Sequence, residues 1–436
     1  MNWRRASVLV LAGGVVCAVF FFLPRRDPVR HVLPDGSAIT LVAVKAGAQH
    51  FAPMASFKQQ LAAHLPASWN QRLKLSPPPS TYNYYSPSNY LSVWLLAEKP
   101  NSTGPPRFDL LLRDDDGSFT CNAEHHGRVV TVPLGPGRWL VGLPVAAWPR
   151  RAEFINIQVY PEWGDPMFGP AHRGKRLAEF RAKNPGSDQR TPAWEAQPWP
   201  ITVRDGDLDF TLTSLWLGLG SFNGYKDHRL WMAKEPKERS TRATFRVTRG
   251  GEVLTNWLAY HVRTILDATG NWSDGNSFSS AIQNGETFNQ FGRPPLPARE
   301  AWRLTMEFSR VSGFETGEVY VVRGVSVPPN GSAGTETNAL GPHRIEVRWE
   351  PNRSGSSDPP GFWATVYPTK SDHKLTLISA KDNRGRIVPC KNHGGGASVT
   401  AEYLTLEPDA TSVDLVFAFH RSRLVTFQVK PEFYRP

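Results

Sequence analysis

Residues 205–218 read DGDLDFTLTSLWLG, and this stretch decides the fold class of the chain. The Asp205-Gly206 pair is typical of a tight turn, and Leu208, Phe210 and Leu212 then alternate with polar residues, which is the period of a half-buried strand. Residues 35–47 read DGSAITLVAVKAG and share the Asp-Gly turn followed by Thr-Leu-x-x-(Val/Leu)-x-x-Gly. The sequence therefore predicts a β-module that occurs more than once.

The composition also favours an all-β protein. Hydrophobic residues make up 40% and charged residues 20% of the 436 residues, which are the proportions of a globular chain. With 36 Gly and 38 Pro the chain is interrupted every few residues, and this favours short strands joined by turns over long helices.

The order of strand and turn signals predicts three tandem antiparallel β-sandwiches of immunoglobulin-like architecture, because turn signals recur every 8–12 residues. Residues 319–328 are predicted as the last strand of the second sandwich, and residues 424–430 as the last strand of the third. The predicted division is a membrane anchor with its flanks at 1–30, sandwich 1 at 31–161, a Pro/Trp-rich connector at 162–200, sandwich 2 at 201–328, a Gly/Ser linker at 329–341 and sandwich 3 at 342–436.

The N-terminus predicts a membrane anchor. Residues 6–23 carry no charge, and 18 residues at about 1.5 Å each just cross a thin bilayer. A cleaved signal peptide is the alternative, but the apolar run continues through residues 19–23, past the place where a peptidase would cut. We expect one uncleaved transmembrane helix in the lipid bilayer, with the sandwiches on the extracytoplasmic side.

The charge balance favours anionic partners. The net charge is +11, which suits phospholipid, acidic glycan or nucleic acid. The arginines are scattered along strands and loops, and no basic helix or RNA-binding motif organises them. We therefore expect no nucleic-acid partner.

In its layout the chain resembles uncharacterised bacterial proteins with a single N-terminal membrane helix followed by immunoglobulin-like repeats. The features that carry the resemblance are the Asp-Gly turns, the Thr-Leu-x-x-Val-x-x-Gly segments and the apolar residues 6–23. The resemblance implies a membrane location and an architecture, and it assigns no catalytic residue. The Cys-Trp-Cys core of antibody domains is absent from this sequence.

Two cysteine and histidine groups could supply zinc ligands, namely Cys121 with His125 and His126, and Cys390 with His393. Cys121 and Cys390 follow the same turn in two different modules, so a shared site would need equivalent places to converge. A disulfide between them meets the same objection. We expect structural cysteines, with no metal and no cofactor.

A polysaccharide hydrolase would need two carboxylates about 5–10 Å apart. Asp267, Asp274 and Glu286 are candidates in the loop-rich part of sandwich 2. However, Asp-x-x-Gly is also a turn that bonds its own backbone, and all three modules contain a turn of this kind. The turn interpretation is preferred, and no nucleophile elbow, zinc-protease motif or phosphate loop occurs.

The functional prediction is therefore a non-enzymatic cell-envelope protein that binds a glycan or another envelope protein. Loops with aromatic residues on a rigid sandwich are suited to such binding, and a purely structural spacer is the remaining alternative. The predicted binding residues are Asn271, Trp272, Asp274, Asn276 and Phe278.

Overall fold

The structure is a computed structural model that describes residues 29–47, 67–74, 90–99, 104–115, 120–122, 129–161, 175–188, 190–219, 240–275, 277–292, 296, 300–328, 332–350 and 361–433. Apart from the short helix α1, Ala67–Arg72, and one 3₁₀ turn, the regular structure in these ranges is β-strand. None of the helical segments described is long and apolar enough to cross a membrane. The all-β prediction is confirmed, and the predicted anchor at residues 6–23 lies outside the described residues.

The chain divides into two compact units, the first ending at Ser187 and the second containing Asp188–Pro436. The first unit is a β-sandwich whose sheets have the orders β1-β2-β3-β7-β6 and β5-β4-β8-β9. Its strands are β1 Arg30–Val32, β2 Ala38–Ala46, β3 Leu91–Glu98, β4 Phe108–Arg113, β5 Thr120–Asn122, β6 Val130–Gly135, β7 Arg138–Val145, β8 Phe154–Pro161 and β9 Ala178–Lys183. Because β9 pairs with β8, part of the predicted connector belongs to this sandwich.

The second unit contains two sandwiches, which we call the middle and the third sandwich. The first strands of the unit are β10 Ile201–Asp205, β11 Leu208–Leu219, β12 Ser240–Arg249, β13 Glu252–Val253, β14 Trp257–Leu266, β15 Trp272–Ser273, β16 Ser277–Gln283, β17 Glu286–Gly292 and β18 Trp302–Arg310. They are followed by β19 Val319–Ser326, β20 Gly334–Leu340, β21 His343–Trp349, β22 Gly361–Tyr367, β23 His373–Asp382, β24 Ile387–Val388, β25 Cys390–Gly396, β26 Val399–Leu404, β27 Ser412–Arg421, β28 Arg423–Val429 and β29 Glu432–Phe433.

All three sandwiches share the strand order of constant-type immunoglobulin domains, in which strands A-B-E-D form one sheet and C-F-G the other. In the first sandwich these sheets are β2-β3-β7-β6 and β4-β8-β9, in the middle one β11-β12-β17-β16 and β14-β18-β28, and in the third β21-β22-β26-β25 and β23-β27-β19. Each sandwich adds one strand before A (β1, β10 or β20) and a short strand beside C (β5, β15 or β24). The prediction of immunoglobulin-like sandwiches is confirmed by this order.

The two stretches that revealed the repeat have the same local structure. Each Asp-Gly pair forms the turn before strand A, with Gly36 at φ +78° and Gly206 at φ +66°. Each strand A then has a β-bulge directly after the Thr-Leu pair, between Leu41 and Ala43 in β2 and between Leu212 and Ser214 in β11. In β11 the bulge moves the buried positions from even to odd numbers, since a bulge inserts one extra residue. The core residues of this strand are accordingly Leu208, Phe210, Leu212, Leu215 and Leu217.

Relative to the prediction, the middle and third sandwiches exchange one strand each, which corrects the predicted boundaries. β28 (Arg423–Val429) pairs with β18 in the middle sandwich, although residues 424–430 were predicted to close the third. β19 (Val319–Ser326) pairs with β27 in the third sandwich, although residues 319–328 were predicted to close the middle one. The third sandwich is therefore an insertion between strands F and G of the middle sandwich. The predicted linker at 329–341 is wrong as well, because β20 occupies Gly334–Leu340 and pairs along its length with β21.

Core packing explains the exchange. Val425, Phe427 and Val429 of β28 are buried with the side chains of the middle sandwich, and the ring centroids of Phe427 and Phe245 lie 5.4 Å apart. Val322 and Val325 of β19 are buried in the core of the third sandwich. Alternation predicts that these segments are strands, but it does not specify which sheet they join.

The connection between β27 and β28 is a single residue, Ser422. Ser422 is buried, and its amide and hydroxyl both donate to the Asp372 carbonyl, at 2.8 and 3.2 Å. Residues 412–429 thus run almost without interruption from the C-F-G sheet of the third sandwich into that of the middle one. This short connection holds the two sheets close together.

We predict that residues 188–327 alone will not fold cooperatively. This fragment lacks β28, and three fully buried apolar side chains together contribute about 5–9 kcal/mol, which is comparable with the whole stability of a domain. Urea denaturation followed by tryptophan fluorescence should give no sigmoidal transition. A matched fragment contains residues 188–433 with residues 311–422 replaced by a short turn. It joins β18 directly to β28 and should unfold cooperatively. A sigmoidal transition of 188–327 alone would contradict the assignment of β28 to the middle sandwich.

Candidate functional site

The structure places the predicted binding residues on two different sheets. Trp272 lies on β15, beside strand C of the middle sandwich, and Asp274 follows that strand. Phe278 belongs to β16 in the opposite sheet, and its side chain is not described. Asn276 lies outside the described residues. The five residues therefore do not form one loop cluster.

The side chain of Asn271 forms hydrogen bonds within a structural turn. Its side chain is buried, and its amide Nδ2 donates to Asp267 Oδ2 at 2.7 Å. Asp267 Oδ1 accepts further bonds from the amides of Thr269 and Asn271, at 2.8 and 3.0 Å. The Asp267 carboxylate is thus used to bond its own loop, as the turn interpretation predicted.

The third sandwich has the same turn at the same position. Asp382 Oδ1 accepts the backbone amides of Arg384 and Arg386, each at 2.9 Å. In both turns the Asp amide donates to the residue four positions later and the Gly amide donates back to the Asp carbonyl. The recurrence supports a structural role for the Asp-x-x-Gly sequence.

A surface with mostly polar side chains lies on the outside of the sheet that contains Trp272. One cross-strand row on this surface consists of Trp272, Leu266, Arg303 and Gln428, which are paired in register through β15, β14, β18 and β28. The next row along the strands consists of Thr264, Thr305 and Thr426. We call these two rows the threonine face. With strands about 4.8 Å apart, the first row spans about 14 Å.

The side chains of the threonine face are open to solvent in varying degree. Arg303 and Thr426 are exposed, whereas Trp272, Thr264 and Thr305 are half-buried. The hydroxyl oxygens of Thr305 and Thr426 lie 2.9 Å apart and share one hydrogen bond. The face therefore offers hydroxyl, amide and guanidinium groups beside the partly exposed ring of Trp272.

Residues 194–197, which precede β10, contact the end of the threonine face that contains Arg303 and Gln428. The guanidinium carbon of Arg303 lies 4.1 Å from the ring centroid of Trp194. Gln428 donates from Nε2 to the Glu195 carbonyl at 2.5 Å and exchanges main-chain and side-chain bonds with Gln197. Trp194, Glu195 and Gln197 lie in the predicted connector at 162–200. Their proximity to the Trp272 sheet could not be predicted from the sequence, because it depends on the position of β28.

The other aromatic residues of this region have different roles. Phe291 is fully buried in the core of the middle sandwich. Phe288 lies on the outer face of the opposite sheet, where the guanidinium carbon of Arg242 is 4.0 Å from its ring centroid. Glu286, a candidate carboxylate, pairs with Arg246 at 3.2 Å on that same sheet.

Charged side chains are buried where the middle and third sandwiches meet. Lys374 is 4% exposed, and its Nζ lies 3.5 Å from the ring centroid of Tyr260. Glu307 is 1% exposed and lies 2.8 Å from Arg263 Nη2. Burial lowers the pKa of Lys374 to about 8, while the nearby Glu307 and Glu402 oppose this shift.

Clusters of perturbed pKa values often mark active sites, but this junction cluster is closed. Lys374, Glu307 and Glu402 are each at most 4% exposed, so a substrate has no access to them. His420, on the strand next to Lys374, is also buried, and burial lowers its pKa to about 4. We interpret the cluster as part of the contact between the sandwiches.

Within the described ranges, no group of three or more His, Cys, Asp or Glu side chains is placed to hold a metal ion. The Cys390 thiol is free and donates to the Val388 carbonyl at 3.1 Å. The side chains of Cys121 and His393, and residues His125 and His126, lie outside the described part of the chain.

We predict that Lys374→Met changes how stability depends on pH. The folded-state pKa of Lys374 is about 8 and the ordinary value is 10.5, so the unfolded chain binds the proton more tightly and the native protein gains stability as pH rises between these values. Lys374→Met lacks this gain. At ~1.4 kcal/mol per tenfold change in proton affinity, the gain is at most about 3–4 kcal/mol. Urea denaturation from pH 7 to pH 10 should show the free energy of unfolding of the native protein rising relative to that of the variant, by up to this amount.

The matched control for this experiment is Lys381→Met, which removes an exposed lysine from the same strand. Its stability relative to the native chain should not vary with pH over that range. Equal pH dependence of the native protein and Lys374→Met would show that Lys374 keeps its proton on burial.

The comparisons with known proteins give weak similarities only. No protein family matches the chain, and no curated protein matches it. Among solved structures the chain is similar to the I-band fragment I67–I69 of titin and to a Glu-to-Ala variant of titin domains I67–I69. Each is 8% identical, with 79% of this chain and 93% of the other covered at a TM-score of 0.11. The fold assignment accordingly rests on the strand order.

Proposed function

We propose that this protein is a non-enzymatic, envelope-displayed binding protein whose middle sandwich binds a polysaccharide on the threonine face. The observation that carries the proposal is the row Trp272, Leu266, Arg303 and Gln428 beside a row of threonine hydroxyls on one open sheet. Sugar rings present an apolar face and a polar rim, so they suit an aromatic side chain next to hydroxyl, amide and guanidinium groups. The ligand would lie across the strands.

The placement of the carboxylates supports binding over hydrolysis. A hydrolase needs two carboxylates that face one another across a cleft. Asp267 is buried in its turn, and Glu286 pairs with Arg246 on the sheet opposite Trp272. Asp274 remains as a single candidate near the face. A polysaccharide hydrolase is thus the alternative function, and no pair of described carboxylates favours it.

The insertion of the third sandwich weighs against a purely structural spacer. The chain enters this sandwich after β18 and leaves it into β28, and both strands lie in one sheet of the middle sandwich. The third sandwich therefore adds no length to the chain path between Asp188 and β28. A spacer made of the same modules joined end to end would span a greater distance.

The location is part of the same proposal. The 18 uncharged residues 6–23 would anchor the chain in a lipid bilayer with the sandwiches outside the cytoplasm, as in the bacterial proteins whose layout it resembles. The proposed partners are then envelope polysaccharides or, as the alternative, an envelope protein.

The test is retention of the full-length chain, kept in detergent, on immobilised cell-envelope polysaccharide at low and high salt. We predict that the native protein is retained at high salt and that Trp272→Ala weakens binding at least tenfold, about 1.4 kcal/mol, because the stacking surface is lost. Trp69→Ala removes an exposed tryptophan of the first unit and should bind like the native protein.

Other outcomes would argue against the proposal. Elution of the native protein by salt alone would reduce the interaction to its net charge of +11. Equal retention of the two tryptophan variants would show that the binding surface is not the threonine face. Cleavage of the polysaccharide, abolished by Asp274→Asn, would support the hydrolase.

A further inference from the structure

Resting on that proposed function, we propose that the ligand of the threonine face is a carboxylated polysaccharide, with a carboxylate bound by Arg303 and a sugar ring stacked on Trp272. Arg303 and Trp272 lie in one cross-strand row, two strands apart. This separation is about 10 Å between backbones. A polymer lying along the row would reach both side chains.

Arg303 differs from most arginines of its sandwich because it forms no ion pair with a described carboxylate. Most arginines of the middle sandwich form ion pairs: Arg204 with Asp209, Arg246 with Glu286, Arg249 with Asp207, Arg263 with Glu307, Arg310 with Glu318 and Arg423 with Asp205. Among the described residues Arg303 has no such partner, although it is exposed. The other exception, Arg242, is half-buried against Phe288 on the opposite sheet.

The Arg303 guanidinium is nevertheless held in a fixed orientation. Its Nε donates to Gln428 Oε1 at 3.3 Å, and its guanidinium carbon lies over the ring of Trp194. Gln428 is itself fixed by the Glu195 carbonyl and Gln197. Among the described residues none accepts a hydrogen bond from the two terminal nitrogens, and a planar fork of N–H donors matches the two oxygens of a carboxylate. Little side-chain entropy would be lost on binding, since the arginine is already ordered.

The ionisable groups around this row carry no net negative charge, so they do not repel an anion. Lys430, the first residue after β28, is exposed and adds a second cation next to Gln428. Glu195 and Asp274 border the row, so the two cations balance two carboxylates before any ligand binds. At the far end of the face, Glu307 is buried and compensated by Arg263. An acidic polymer would thus meet no buried uncompensated negative charge.

The experiment compares two polymers with the same backbone, polygalacturonate and polygalacturonate whose carboxylates have been reduced to alcohols. The full-length chain in detergent is titrated with each polymer, and the variants are Arg303→Gln, Trp272→Ala and Arg204→Gln. Arg204→Gln is the matched control, because it removes one exposed positive charge from β10 in the opposite sheet. Thermal unfolding of each variant confirms that it is folded.

We expect the native protein to bind the carboxylated polymer at least tenfold more tightly than the reduced one. Arg303→Gln should lose this preference while still binding the reduced polymer, and Arg204→Gln should keep it. Equal loss in the two arginine variants would show that only net charge matters and would overturn the assignment of Arg303. Equal native affinity for the two polymers would do the same.

The same titration separates this inference from the proposed function. If Trp272→Ala weakens binding of the reduced polymer while the native protein shows no preference for carboxylate, the binding face stands and the acidic ligand is wrong. If neither polymer binds the native protein, the inference is overturned, and retention on cell-envelope polysaccharide still decides the proposed function.

Discussion

The architecture of the second unit depends on the burial of β28 in the middle sandwich. Val425, Phe427 and Val429 complete a core in which Phe210 and Phe245 of one sheet meet Phe308 of the other, with the rings of Phe245 and Phe308 edge to face at 5.1 Å. Without these residues the C-F-G sheet would have no strand G. Because β28 follows the whole third sandwich in the chain, the middle sandwich is complete only when the chain returns from the third.

The same exchange accounts for the charged groups at the junction. β27 and β28 are separated only by Ser422, so the sheets that they belong to approach closely and cover Lys374, Glu307 and Glu402. A buried ion pair seldom adds net stability, since desolvation offsets the attraction. These groups instead favour one relative placement of the two sheets, because any other would leave a buried charge without its partner.

Local features of the fold could be predicted from the sequence, and long-range ones could not. The Asp-Gly turns, the alternating strands and the immunoglobulin-like sandwiches depend on residues close together in the chain, and those predictions were correct. The partner of β28 depends on which core its three apolar side chains fill, and period-two alternation is the same for either choice. The bulge at Thr213 was also hidden, although it leaves a signal, since the apolar positions of β11 change from even to odd after Leu212.

The candidate site shows the same limit in its residues. Trp272 was predicted as a binding residue because it is an aromatic residue in a polar loop. Its neighbours on the face come from β18, from β28 and, through Trp194, from the segment before β10. These residues are distant in sequence and become one surface only through sheet pairing. A row across strands has no signature along the chain, because each strand contributes a single residue to it. That Arg303 forms no ion pair with a described carboxylate is likewise visible only in the structure, where most of the described arginines of its sandwich are matched with carboxylates.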